Sequence, residues 1–146
     1  MSQTDRTIKI IRHPTLTDHQ INALFNASWP DWSERSFQPI LRQSLDYLGA
    51  FDNACLIGFV NLAWDGGCHG FIVDTTVHPD HRRQGIALLM LRELFTIARE
   101  NNLQWLHADF ESAYQRLYEK AGFRMSAAGV QKVADSHPAD SDDGQP

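Results

Sequence analysis

A chain of 146 residues with 42% hydrophobic and 21% charged side chains has the size and composition of one globular domain. Its formal charge of −5 excludes an extended basic face for nucleic acid; Asp135, Asp140, Asp142 and Asp143 lie in a terminal stretch without Lys or Arg, which leaves about −1 for the rest. No apolar run reaches the length of a membrane span, no secretory signal is evident, and Cys55 and Cys68 lack a Cys-x-x-Cys spacing, so a soluble cytoplasmic protein with reduced thiols is expected.

Thr7 to Arg12 alternates as a short strand, and Thr17-Asp18-His19-Gln20 has the capping-box spacing that opens a helix running to about Ala27. The segment from Ser28 to Ser36 breaks that helix with Pro30 and polar residues yet carries Trp29 and Trp32; a second helix is expected from about Phe37 to Ser44. Strands are expected at about Tyr47 to Asp52 and Cys55 to Ala63. They turn at Asp52-Asn53 and at Trp64-Asp65-Gly66-Gly67, before the β-branched run from Phe71 to Val77. Gly85 to Asn101 has helical spacing. Strand Trp105 to Phe110, helix Ser112 to Ala121 and strand-like pieces around Phe123 to Met125 and Val130 to Val133 follow. With no internal repeat, residues 1–133 read as a single α/β domain with a mixed sheet, and 134–146 read as an acidic, disordered tail. The seven histidines form no His-x-x-x-His pair and no cluster with cysteine, so no metal is expected.

The stretch Val77-His78-Pro79-Asp80-His81-Arg82-Arg83-Gln84-Gly85-Ile86-Ala87 joins a predicted strand to a predicted helix through a cationic loop. The first N–H groups of a helix lack partners inside it and its dipole is positive at that end, so an anion is bound there by backbone alone. Gly85 lets a ligand approach the backbone, and Arg82 and Arg83 add charge. A Walker-type loop would need a Lys-Ser/Thr pair, and a dinucleotide fingerprint three spaced glycines; neither is present.

The pattern Arg82-x-x-Gly85-x-Ala87 after a strand, followed one strand-helix unit later by Tyr118-Glu119-Lys120-Ala121-Gly122-Phe123, resembles the GNAT superfamily of N-acetyltransferases over about residues 55 to 125. The resemblance implies a central mixed, mostly antiparallel twisted sheet of about six to seven strands flanked by about four helices. It also implies acetyl-CoA as co-substrate, held by backbone near Thr75 and Val77 along the pantetheine arm and by Arg82, Arg83, Gln84, Gly85, Ile86 and Ala87 at the pyrophosphate. Direct transfer to a primary amine, without metal or acetyl-enzyme, is implied as well, and so is dimerisation through the C-terminal strands.

Such transfer needs a neutral amine, a polarised carbonyl and a proton for the thiolate. The resemblance makes Tyr118 the proton donor, with Tyr114 as substitute. Where many relatives carry a glutamate on the cofactor strand, this chain has Phe71. Asp109 and Glu111, sharing one face at the end of the next strand, are ranked as bases ahead of Asp74 and His107, and Asp74 is expected on the face opposite to Phe71. Trp29, Trp32 and Glu34 are the candidate acceptor residues, because aromatic rings beside an acid hold an ammonium. A small amine acceptor is preferred to a protein N-terminus or lysine, and a non-catalytic acyl-CoA sensor is the rival reading.

Overall fold

The computed structural model describes residues 7–134. Strands β1 (Ile8–Arg12), β2 (Asp46–Asp52), β3 (Cys55–Trp64), β4 (His69–Val77) and β5 (Trp105–Ala108) form one sheet in the order β1-β2-β3-β4-β5. The first four are antiparallel neighbours; β5 runs parallel to β4. Four α-helices join them: α1 (Asp18–Ser28), α2 (Gln38–Gln43), α3 (Ile86–Glu100) and α4 (Gln115–Lys120), with 3₁₀ turns at Pro79–His81 and Ser112–Tyr114.

Local chemistry explains most boundaries. Thr17 and Gln20 cap α1 reciprocally, as the spacing predicts, and Trp29-Pro30 ends it. In the β3–β4 turn, the Asp65 carboxylate accepts hydrogen bonds from the backbone N–H of Gly67 (2.7 Å) and His69 (3.2 Å), a local alternative to ladder pairing. The meander and the first three helix predictions stand within a residue or two of their expected ends.

Two apolar cores form on opposite faces of the sheet. On one, Leu48, Val60, Leu62 and Ile72 pack against Ile86, Met90, Leu94 and Ile97 of α3 and Tyr118 of α4. On the other, Phe59 and Tyr47 pack against Ile21, Leu24 and Phe25 of α1, Leu41 of α2 and Phe37 just before α2.

The sheet has five strands, fewer than the six to seven expected. Residues 123–134 carry no strand, and Val130 and Val133 are 80% and 85% exposed. Their apolar residues are separated by Ser126, Ala127, Ala128 and Gly129, too small a set to cover a face, and β5 offers only four residues to pair with. The expected strand to Phe110 stops at Ala108 because the chain there leaves β4. The helix expected from Ser112 begins as a 3₁₀ turn, with α4 starting at Gln115. The tail assigned to 134–146 lies, apart from Ala134, outside the described residues.

Candidate functional site

The site is a fork between two parallel strands. β4 and β5 pair from His69–Trp105 to Ile72–Ala108, and from Val73 onward β4 has no β5 partner. Within the same stretch β4 slips against β3: Asn61 faces Val73 and Phe59 faces Thr76, so Asp74 and Thr75 together oppose Val60. This is a β-bulge, with Asp74 in the left-handed region at φ 61°.

The bulge separates two side chains that strict alternation would place differently. Alternation sends Asp74 to the α3 side with Ile72. Instead, its carboxylate lies 3.9 Å from the guanidinium of Arg35, on the segment between α1 and α2. Thr75 turns the other way and accepts a hydrogen bond from the Tyr118 hydroxyl at 3.3 Å. Asp74 and Thr75 thus lie on opposite sides, while the extra residue in β4 takes Asp74 off the Ile72 face, so that it does not oppose Phe71 as alternation expects.

A groove of about 1010 Å³ fills the fork. Thr75, Val77, Arg82, Arg83, Gly85, Ile86 and Ala87 line one arm, Asp109 and Glu111 the other, with Tyr118 beneath and Trp29 on the α1 side; of the candidate cofactor residues, Gln84 is outside the lining. Gly85, at φ 78°, caps α3 without any side-chain hydrogen bond, and the first bond into it runs from the Leu89 N–H at 3.0 Å. The N–H groups of Ile86, Ala87 and Leu88 are therefore available to an anion. A Cβ built at Gly85 meets no protein atom within 4 Å, so within the chain itself it is the left-handed backbone that calls for the glycine. This cradle of backbone donors fits a pyrophosphate.

The two arginines of the turn differ. Arg82 donates to the carbonyls of Val77 and Ser28, both at 3.3 Å, and so ties the turn to β4 and the end of α1. Arg83, at φ 61°, is exposed at the groove. The turn is anchored from below by His81, whose Nε2 lies 3.1 Å from the Asp52 carboxylate.

Tyr118 is 5% exposed. Phe110 stacks on its ring with centroids 4.1 Å apart, and Phe123 meets it edge-on at 5.6 Å. Burial raises the phenol's pKa above its ordinary value, against the weaker opposing effect of the Thr75 hydrogen bond, and it stays protonated at neutral pH. Asp109 and Glu111 are exposed carboxylates on the facing arm. Burial also raises the pKa of Asp74, with Arg35 acting against it. Cys55 and Cys68 lie outside the groove lining, as does His107, whose Nε2 lies 2.8 Å from His69 Nδ1 and whose ring stacks on Phe71.

The acceptor-side candidates occupy different places. The Trp29 indole N–H donates to Thr76 Oγ1 at 3.0 Å, on the bulged strand. Trp32 packs on Phe25 (4.7 Å) and donates to Asn22 Oδ1, and Glu34 accepts from Asn26; neither lines the groove. The residue that sequence reasoning missed is Arg35, whose guanidinium lies 4.7 Å from the Trp32 ring centroid and 5.2 Å from that of Phe37. Its signal is the Trp32-x-x-Arg35-x-Phe37 spacing, a cation placed between two aromatics.

A mixed sheet that splits beside a bulge, with a turn of open helix N–H groups at one end of the split and a buried phenol below it, is the frame that the comparisons with known proteins share. The chain belongs to the acetyltransferase (GNAT) family, whose model matches residues 16–123. Among curated proteins, mycothiol acetyltransferase of Mycolicibacterium vanbaalenii is 33% identical over 72 residues. That stretch is 49% of this chain and 24% of the relative, so the chain spans about a quarter of the length of the curated relative it matches. Among solved structures, a GNAT family acetyltransferase from Streptococcus pneumoniae superposes with a TM-score of 0.75 at 20% identity, covering 89% of this chain and 100% of that one. An aminoglycoside N-acetyltransferase in complex with CoA superposes at 0.71 with 14% identity, covering 93% of this chain and 100% of that one. At these identities the structural likeness is one of fold.

Proposed function

We propose that this protein transfers the acetyl group of acetyl-CoA to a small primary amine, directly and within a ternary complex. The observation that carries the reading is the buried, protonated Tyr118, hydrogen-bonded to Thr75 where the fork opens. A thioester lying there has a proton donor beneath its sulfur. The unpaired strand from Val73 to Val77 is free to pair with pantetheine amides, and the amides from Arg83 to Ala87, Gln84 included, are available to the pyrophosphate. Asp109 and Glu111 are suited to receive the amine's protons through water. The unpaired thiols fit a reducing compartment such as the cytoplasm.

A rival reading, an acyl-CoA-binding module without turnover, is favoured by Phe71, which stands where many relatives carry an acid. Release of free CoA from acetyl-CoA decides between them when it is measured with amines, polyamines, amino acids and peptides as acceptors. Release stimulated far above background by one acceptor supports transfer, whereas tight binding with no stimulated release by any acceptor supports the module.

The two arginines of the turn give a separate expectation. Arg83→Ala should weaken acetyl-CoA binding about ten-fold with little change in thermal stability, because an exposed charge near the phosphates is lost. Arg82→Ala should lower stability as well, since its carbonyl partners lose their donor. Isothermal titration and thermal unfolding of both variants check this.

A further inference from the structure

Resting on the acetyl-transfer reading, we infer that the acceptor is a small zwitterionic primary amine, its ammonium held by Asp74 and its anionic group by Arg35. The two side chains pair at 3.9 Å where β4 parts from β5; Asp74 lines the groove, and Arg35 stands beside it outside the lining. Asp74 precedes Thr75, the residue that receives the Tyr118 hydroxyl, with its carboxylate on the opposite face, so an amine held by Asp74 would approach the fork from the side away from Tyr118.

The two charges pair only loosely with each other, at 3.9 Å, and among the described residues neither side chain takes part in a hydrogen bond. The Asp74 side chain, 26% exposed, accepts no hydrogen bond among the described residues, and its nearest cation, Arg35, is 3.9 Å away, too far for a direct bond. A half-buried carboxylate with open acceptor sites calls for a multiple donor, and a primary ammonium brings three N–H groups. The Arg35 guanidinium, 49% exposed, rests over the Trp32 and Phe37 rings and donates to no side chain or carbonyl, so its N–H edges are open.

Both charges are also fixed in place. The bulge sets the Asp74 backbone at φ 61°. Asn22, 6% exposed, clamps the main chain of Arg35 from both sides, accepting from its N–H at 3.1 Å and donating to its carbonyl at 2.7 Å. A rigid anion beside a rigid cation is the complement of a ligand that carries an ammonium and a carboxylate or phosphate a few bonds apart. A second ammonium at the same place is repelled by Arg35, which disfavours polyamines.

The chemistry then balances as follows. The bound ammonium gives one proton to the Asp74 carboxylate, which passes it to water. The nitrogen lone pair forms the C–N bond while the C–S bond breaks. The second amine proton leaves to water beside Asp109 and Glu111, and the sulfur takes the proton of Tyr118, which water restores. The charged group facing Asp74 is Arg35 from the α1–α2 segment; Asp109, just past β5, and Tyr118 of α4 line the same groove. Burial holds the Asp74 carboxyl above the usual carboxylate range, which improves it as a base near neutrality.

The test uses the full chain, acetyl-CoA, free L-amino acids, the matching amino-acid amides, and putrescine. Expected for the wild type is a kcat/KM for an amino acid about ten-fold above that for its amide, with putrescine poorer still. Arg35→Gln should raise KM for the acid far more than for the amide, until this preference is gone. Asp74→Asn should lower kcat about 100-fold on every acceptor and remove the acidic limb of the pH profile, with acetyl-CoA affinity and folding kept, since asparagine tolerates the left-handed backbone. Wild-type preference for putrescine or the amide, with acetyl-CoA bound normally, overturns this inference alone, as does Asp74→Asn with unchanged kcat and pH profile. Absence of acetyl-CoA binding removes the acetyl-transfer reading and this inference with it.

Discussion

Replacing Tyr118 with phenylalanine is expected to lower kcat by about 100-fold or more while leaving acetyl-CoA affinity and the fold in place. Phenylalanine keeps the stack on Phe110 and the edge contact with Phe123, so the packing around the ring survives. What disappears is one hydroxyl and its 3.3 Å hydrogen bond to Thr75, a loss of about 1 kcal/mol or less in stability. The large effect on rate comes from the leaving group, because without the phenol a developing thiolate at the fork has no buried donor beneath it.

The pH dependence has a definite sign. Burial raises the Tyr118 pKa above 10.0, so the phenol is protonated across neutral pH and its contribution to transfer should be lost as pH rises through that raised value. The phenylalanine variant should lack this alkaline limb. The same shift makes the folded protein bind the proton more tightly than the unfolded chain. Tyr118 therefore lowers stability as pH climbs from about 10 toward the folded value, and the variant should be spared that part of alkaline unfolding. Steady-state kinetics across the pH range, with thermal unfolding alongside, check both. Wild-type kcat in the variant would reduce Tyr118 to a packing residue.

The turn between β4 and α3 was legible in the sequence because its determinants are local: a β-branched run, two arginines, a glycine and a helical period follow one another along the chain. The bulge was not. Whether Asp74 and Thr75 share one partner depends on how β4 registers against Val60, and a strand's own sequence carries no mark of the residue opposite to it. Reading β4 by strict alternation therefore put Asp74 on the wrong face. Arg35 was missed for a related reason, since its main chain is fixed by Asn22, thirteen positions earlier. The expected strands after residue 122 failed because a short apolar piece becomes a strand only when a partner edge and a coverable face await it.

The segment that carries Trp29 and Arg35 is built on aromatic packing, and Phe25→Ala is expected to expose that dependence. Phe25 is 2% exposed and lies 4.7 Å from Trp32, 5.3 Å from Phe37 and 6.1 Å from Phe59, ring centroid to ring centroid. Removing the ring should cost about 3–5 kcal/mol, lowering Tm by roughly 10–20 °C without abolishing folding in a domain of ordinary stability. The functional consequence should be uneven. Trp32 and Phe37, over which Arg35 lies, lose their support, whereas Ile86 and Met90 under the phosphate turn belong to the core on the other face of the sheet. KM for the acceptor should therefore rise several-fold while acetyl-CoA affinity stays within about two-fold, and bound acetyl-CoA should recover part of the lost Tm by mass action. Equal losses in acceptor and cofactor binding, measured well below the variant's Tm, would mean that the two cores do not support the two halves of the site separately. Preserved acceptor KM would mean that Arg35 is held by the Asn22 clamp alone.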